Sequence, residues 1–129
     1  MSDRALDSFD SNSTVAIVED ERISRNALAA LLSGHGYQTQ AFESAEEMLN
    51  SVDSKNSEAP KALLVDVNLP GMSGLQLLAQ LRRKFPDLYA VLITAADDEH
   101  IRRFCRENPV TYMRKPVNLP QLLGLLQQH

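Results

Sequence analysis

The sequence predicts a single α/β domain in which five helices flank a doubly wound parallel sheet of five strands. Two observations lead to this fold class. Short strand-like segments alternate with segments of helical period five times along the chain, and three of the short segments are continuously apolar. A continuous apolar run is typical of a strand that helices cover on both faces, as in a parallel sheet. The 129 residues suffice for one such domain.

Five segments have strand character because each is too short for a helix and is rich in apolar, β-branched or aromatic residues. The second of them alternates polar and apolar residues, which is typical of a strand nearer the edge of a sheet. In chain order the predicted strands are Val15–Val18, Tyr37–Phe42, Ala62–Val65, Ala90–Ile93 and Val110–Met113.

The first predicted helix follows the first strand. Five apolar residues recur there at helical spacing, and we expect them to form one core stripe, ended by two glycines. The apolar positions are Ile23, Ala27, Leu28, Leu31 and Leu32, and the glycines are Gly34 and Gly36.

Three later helices begin at a capping residue that is followed three positions on by Glu or Gln, the spacing of a capping box. The pairs are Ser44 with Glu47, Ser73 with Gln76, and Asn118 with Gln121. The second helix is expected to continue to Val52 and the third to stop before Pro86. The fourth and fifth helices are predicted over Asp98 to about Asn108 and over Leu119–Gln128.

The charge balance disfavours direct binding of nucleic acid by this domain. Thirteen Lys and Arg stand against 17 Asp and Glu, for a net charge of −4, so the overall positive field that non-specific nucleic-acid binding requires is missing.

No apolar run is long enough to cross a bilayer, and no membrane partner is expected. Residues 1–13 are expected to be a flexible N-terminal tail that precedes the folded domain over 14–129. The single cysteine, Cys105, is compatible with a reducing cytoplasm.

Polar side chains follow four of the predicted strands: Glu19–Glu21 the first, Asp66 the third, Thr94 the fourth and Lys115 the fifth. In a doubly wound sheet the ligand site lies beyond the carboxyl ends of the strands. We therefore expect these groups to surround one cavity.

The carboxylates in that cavity predict a bound cation, because like charges about 4 Å apart repel by about 4 kcal/mol at an effective dielectric near 20. Oxygen ligands without His or Cys select hard ions, and Mg²⁺ suits them best where a phosphate completes the coordination, with Mn²⁺ as an alternative. Lys115 would face that phosphate as a point charge. With the cation and the Thr94 hydroxyl, it would form the catalytic groups that stabilise phosphoryl charge during transfer. Asp66 is then the expected phosphoryl acceptor.

These residues together resemble those of the receiver domains of two-component response regulators. The resemblance runs from about Thr14 to the C-terminus. The fold of receiver domains implies a flavodoxin-like strand order of 2-1-3-4-5. The matching segments are Val18–Glu21, Leu64–Gly74, Ile93–Ala95 and Tyr112–Pro116.

The resemblance implies that a phosphohistidine of a sensor kinase or phosphotransfer protein phosphorylates Asp66. It assigns Mg²⁺ to Asp66, to Asp20 directly, to Glu19 through water and to the backbone carbonyl of Asn68. Lys115 would pair with the phosphoryl oxygens. Glu19 departs from the Asp that is more usual in the family, and its extra methylene changes the reach of the carboxylate.

The resemblance also implies a signalling output. Thr94 would move toward the phosphoryl group, Tyr112 would follow it inward, and Pro116 would follow a cis peptide bond. The responding surface would comprise the fourth helix, fifth strand and fifth helix, acting on a downstream protein, on an effector domain outside this chain, or on a second copy in a phosphorylation-dependent homodimer. The domain would be a phosphoacceptor that assists its own phosphorylation and dephosphorylation, and not an enzyme.

Two alternatives stand beside this interpretation. The first is an interaction module that keeps the fold and signals without phosphate. The second is a flavin-binding electron carrier of similar topology, which requires a phosphate-cradling loop after the first strand. Glu19–Glu21 would repel a flavin phosphate at that point.

Overall fold

The computed structural model describes residues 14–53, 58–96, 98–108 and 110–129. The predicted flexible tail over 1–13 lies outside the described residues. Strands and helices alternate throughout. The elements are β1 (Thr14–Val18), α1 (Arg22–Ser33), β2 (Gln38–Phe42), α2 (Ala45–Ser51), β3 (Ala62–Asp66), α3 (Gly74–Lys84), β4 (Ala90–Thr94), α4 (Glu99–Glu107), β5 (Thr111–Arg114) and α5 (Leu119–Gln127).

The five strands form one parallel sheet in the order β2-β1-β3-β4-β5, which confirms the predicted fold class and strand order. β3 and β4 are buried along their whole length, whereas the residues of β2, at one edge, are exposed or half-buried. The continuous apolar runs thus lie in the middle of the sheet, where helices cover both faces.

Each face of the sheet carries its own core, because successive strand residues point to opposite sides. Val18 and Val65 lie on the face that α2, α3 and α4 cover. Ile17 and Leu64 lie on the face that α1 and α5 cover. The two helical layers bury the central strands on both faces, and predicted site residues lie at the carboxyl ends of these strands.

Side-chain caps define the starts of the later helices. Ser44, Ser73, Asp98 and Asn118 each accept a hydrogen bond from a backbone N–H in the first turn. Ser73 and Gln76 form the complete capping box. At α2 the capping box differs by one residue, because the carboxylate of Glu47 accepts from the N–H of Glu43 rather than from that of the capping Ser44.

The expected core stripe of α1 is wrong in part. Leu28 and Leu32 are buried, but Ala27 is exposed, and Ile23 and Leu31 are 81% and 45% exposed. Residues in an α-helix are about 100° apart, so the row through positions 23, 27 and 31 is rotated away from the row through 28 and 32. The sheet covers only the second row, and the first faces outward.

Among the described residues, no helix has the length and hydrophobicity that a bilayer span requires.

Candidate functional site

A cluster of buried charges lies at the carboxyl ends of β1 and β3. The Nζ of Lys115, just after β5, is 2.9 Å from Oε1 of Glu19 and 2.9 Å from Oδ2 of Asp66. Glu19 is only 2% exposed and Asp66 only 6%. Buried carboxylates are strongly destabilising unless they are paired and hydrogen-bonded, and a single ammonium group pairs with both of them here.

The second oxygen of each carboxylate is held by backbone. Oε2 of Glu19 accepts from the N–H of Glu21 at 3.0 Å, and Oδ1 of Asp66 accepts from the N–H of Asn68 at 2.8 Å. Both carboxylates are therefore fixed from two sides, so the site is organised before any ligand arrives.

Asp20 completes an acidic triplet. It is exposed, but one of its carboxylate oxygens lies within 4.8 Å of an oxygen of Glu19 and of Asp66. With Lys115 counted, the cluster carries a formal excess of two negative charges, which one divalent cation would cancel. Three carboxylates without His or Cys are a donor set for a hard ion.

The pKa values of Glu19 and Lys115 reflect the burial of the cluster and the short distances between its charges. Burial raises the pKa of Glu19; the hydrogen bonds from Lys115 and the N–H of Glu21 act in the opposite direction, and the charge of Asp66 adds to the rise. Burial acts to lower the pKa of Lys115, but the hydrogen bonds to Asp66 and Glu19 outweigh it and hold this pKa above its usual value. The two carboxylates therefore favour the protonated, positively charged form of Lys115.

Thr94 lies at the end of β4 and is fully buried. Its Oγ1 donates to the carbonyl of Ala96 at 2.9 Å and accepts from the N–H of Ala96 at 3.2 Å. Its backbone carbonyl accepts from the N–H of Lys115 at 2.8 Å. The hydroxyl is thus engaged in the turn after β4, while the backbone ties β4 to the residue that bears the ammonium group.

The remaining predicted residues lie nearby along β5 and after β3. Tyr112 is half-buried and packs against the core on the α2, α3 and α4 face. It lines a shallow cavity of about 380 Å³ between α4 and β5, next to Cys105 and Val110. The Lys115–Pro116 peptide bond is cis. Asn68 is exposed at the rim of the site.

The sequence analysis assigned no role to two residues that shape the site. A β-carbon on Gly74, the first residue of α3, would lie 2.3 Å from the carbonyl oxygen of Asp66, so only glycine allows α3 to start this close to the end of β3. Glu46 of α2 accepts a hydrogen bond from the N–H of Met72 at 3.1 Å. The position of Gly74 directly after the capping Ser73 was a sequence signal for a close approach. The contact between Glu46 and Met72 spans 26 positions, and no local sequence pattern indicates it.

Comparison with known proteins agrees with this geometry. The family model described as the response regulator receiver domain matches residues 15–127. The chain belongs to this family. Receiver domains are the phosphoacceptor domains of two-component systems, so the flavin-carrier alternative no longer applies.

Two relatives illustrate where receiver domains occur. The chain is 37% identical over 117 residues to a cyclic di-GMP phosphodiesterase of Thermotoga maritima, covering 90% of the chain and 30% of that protein. It is also 37% identical over 117 residues to the response regulator protein FleR of Pseudomonas aeruginosa, covering 89% of the chain and 24% of that protein. This receiver domain thus spans less than a third of the length of either relative.

A solved receiver domain from Methanospirillum hungatei shares the fold. It superposes with a TM-score of 0.80 over 90% of this chain and 91% of its own, at 24% sequence identity.

Proposed function

We propose that this receiver domain accepts a phosphoryl group on Asp66 from a phosphohistidine of a sensor kinase or phosphotransfer protein, in a reaction that depends on a divalent cation. The observation that carries the proposal is the 2.9 Å contact between Lys115 Nζ and Asp66 Oδ2 within a triplet of carboxylates.

The transfer is a displacement at phosphorus. A carboxylate oxygen of Asp66 forms the new P–O bond while the P–N bond to the imidazole breaks, and its electron pair returns to the ring nitrogen. The product is an acyl phosphate. Lys115 already lies against the nucleophile, and its ammonium group can follow the negative charge onto the phosphoryl oxygens.

Glu19, Asp20, Asp66 and the backbone carbonyl of Asn68 are the residues that would hold Mg²⁺, or Mn²⁺ in its place. A bound divalent ion supplies positive charge that offsets the repulsion between the acidic site and an incoming phosphate. Lys115 pairs with Glu19 in the present arrangement, so the ammonium group and a bound ion would together neutralise this carboxylate.

The output follows from the groups around Thr94. A phosphoryl group adds nearly two negative charges at Asp66 and attracts the hydroxyl that now bonds to Ala96. Movement of that hydroxyl leaves space for Tyr112 and shifts the population of the surface made by α4, β5 and α5. A cytoplasmic downstream protein, an effector domain or a second copy would read that surface. In this role the domain assists its own phosphorylation and dephosphorylation but turns over no separate substrate.

Binding of beryllium fluoride, a phosphoryl mimic, with Mg²⁺ separates this proposal from a phosphate-independent interaction module. We expect amide resonances of Asp66, Thr94 and Tyr112 to shift in ¹H–¹⁵N spectra when both additives are present. Beryllium fluoride without Mg²⁺, and both additives with the Asp66→Asn variant, serve as controls. Unchanged spectra of the wild-type domain would favour the interaction module.

The outward row of α1 is suited to contact the phosphodonor. Ile23 is 81% exposed, and Ala27 and Leu31 line an apolar cavity of about 430 Å³ that Glu19 and Lys115 also line. A donor protein that presents a phosphohistidine to Asp66 must cover this rim. The apolar row offers it contact area immediately beside the chemistry.

Replacement Ile23→Asp should therefore slow phosphorylation by a phosphohistidine-bearing protein at least about tenfold, since burying an unpaired carboxylate opposes docking. Phosphorylation by acetyl phosphate, a small donor that needs no docking surface, should stay within about twofold of wild type. Gel separation of the phosphorylated form gives both rates. An equal loss with both donors would contradict the assignment of this surface.

A further inference from the structure

The loop that follows Asp66 is held by a carboxylate from a different element. Glu46 lies in the first turn of α2, and its Oε2 accepts from the backbone N–H of Met72 at 3.1 Å. Met72 belongs to the loop over residues 67–73, which connects β3 to α3 and is called the acceptor loop below.

Gly71 shows that this contact is built into the loop. Its φ is +75°, a left-handed conformation that favours glycine, and a β-carbon at this position would stand 3.0 Å from the same Oε2 of Glu46. The carboxylate thus lies against two consecutive backbone units, one of which donates to it and one of which leaves room for it.

Other bonds anchor the ends of the acceptor loop. The N–H of Val67 donates to the carbonyl of Ile93 at 2.9 Å, and the N–H of Gly74 donates to the carbonyl of Val67 at 3.2 Å. The N–H of Asn68 donates to Asp66. The bond to Glu46 fixes the loop backbone between these anchors.

We propose that Glu46 is a positioning residue for the cation and phosphoryl site. By holding the acceptor loop, it sets where the backbone of Asn68 lies, and that backbone both donates to Asp66 and supplies the carbonyl assigned to the cation. The inference rests on the proposed function for the cation, but it concerns residues outside the acidic triplet.

Glu47 provides a matched control. It lies in the same turn of α2, is exposed and carries the same charge, but its carboxylate accepts from Glu43 of its own segment. Glu46→Ala and Glu47→Ala therefore remove equal charge from adjacent positions, and only the first releases the acceptor loop. Glu46→Gln retains an acceptor oxygen of the same reach and serves as the conservative variant.

Titration calorimetry with Mg²⁺ and with Mn²⁺ tests the inference. We expect Glu46→Ala to weaken binding about 3- to 10-fold, Glu47→Ala to change it by less than about twofold, and Glu46→Gln to restore most of the loss. Hydrogen exchange at the Met72 amide should accelerate at least about tenfold in Glu46→Ala alone. Thermal unfolding of each variant confirms that the fold is intact.

The outcomes distinguish the two proposals. If the wild-type domain binds either ion but Glu46→Ala binds it equally well, or if Glu47→Ala weakens binding as much, the positioning role is overturned and the proposed function stands. If the wild-type domain binds neither ion, the cation-dependent function itself is overturned, and the role of Glu46 with it.

Discussion

Replacement of Asp66 by Asn is expected to abolish phosphoryl uptake and to leave the fold intact. Asn has the shape of Asp, but its amide is not a nucleophile at phosphorus, so the rate with acetyl phosphate should fall by at least about 10³-fold. The substitution also removes one member of the acidic triplet, and Mg²⁺ affinity should fall with it. Intact-mass spectrometry after incubation with acetyl phosphate measures the uptake.

The stability of this variant tests the electrostatic description of the site. Lys115 retains its 2.9 Å contact with Glu19, so no buried charge is left without a partner, and the repulsion between Glu19 and Asp66 disappears. We expect the free energy of unfolding to change by no more than about 1 kcal/mol.

Asp20→Asn is the matched control. This carboxylate is exposed, so its loss should weaken binding of the cation but permit phosphoryl uptake at high Mg²⁺. Phosphoryl uptake by Asp66→Asn would show that another residue is the acceptor.

The largest loss of stability is expected from Gly74→Ala. The new methyl group would stand 2.3 Å from the carbonyl oxygen of Asp66 and 3.1 Å from Cγ2 of Val65. Neither the backbone of β3 nor the start of α3 can yield cheaply, because both lie in a packed core. We expect the free energy of unfolding to fall by about 3 kcal/mol. Phosphoryl uptake should fall as well, since relief of the clash would displace β3 and Asp66 with it.

Gly124→Ala in α5 isolates the steric term. Apart from its chain neighbours and the backbone of its own helix, nothing in the described structure lies within 4 Å of a β-carbon at this position, so the same substitution there should stabilise the domain by about 0.5–1 kcal/mol through the higher helix propensity of Ala. Urea denaturation of both variants measures the two effects. Equal changes in the free energy of unfolding for Gly74→Ala and Gly124→Ala would show that the close approach of Gly74 to Asp66 does not determine the effect.

The fold class was predictable because its signals are local. The apolar runs of β1, β3 and β4, and the caps at Ser44, Ser73 and Asn118, act through neighbouring residues. The face of α1 was not predictable in the same way. Ile23 and Leu31 have the composition of core residues, but the sheet covers the row through Leu28 and Leu32 instead, and nothing within the helix itself says which row that will be.

The candidate site shows the same division. The residue types at the strand ends pointed to Asp66, Lys115 and an acidic pair, and the parallel topology explained why they should meet. The linear pattern did not indicate that Glu19 would be buried against Lys115 while Asp20 stayed exposed. That distribution depends on where Lys115, the residue before Pro116, and the start of α1 pack, which is a property of the folded domain.

Short-range chemistry along this chain thus settles which segments become strands and helices, where the helices begin, and which reactive groups stand at the ends of the strands. Folding alone decides which groups touch. The ammonium of Lys115 reaches a carboxylate 49 positions away, and Glu46 reaches the backbone of Met72 across 26. Such contacts arise from the order and register of the strands. Residues that meet across a sheet show no periodic sequence pattern that would mark the contact.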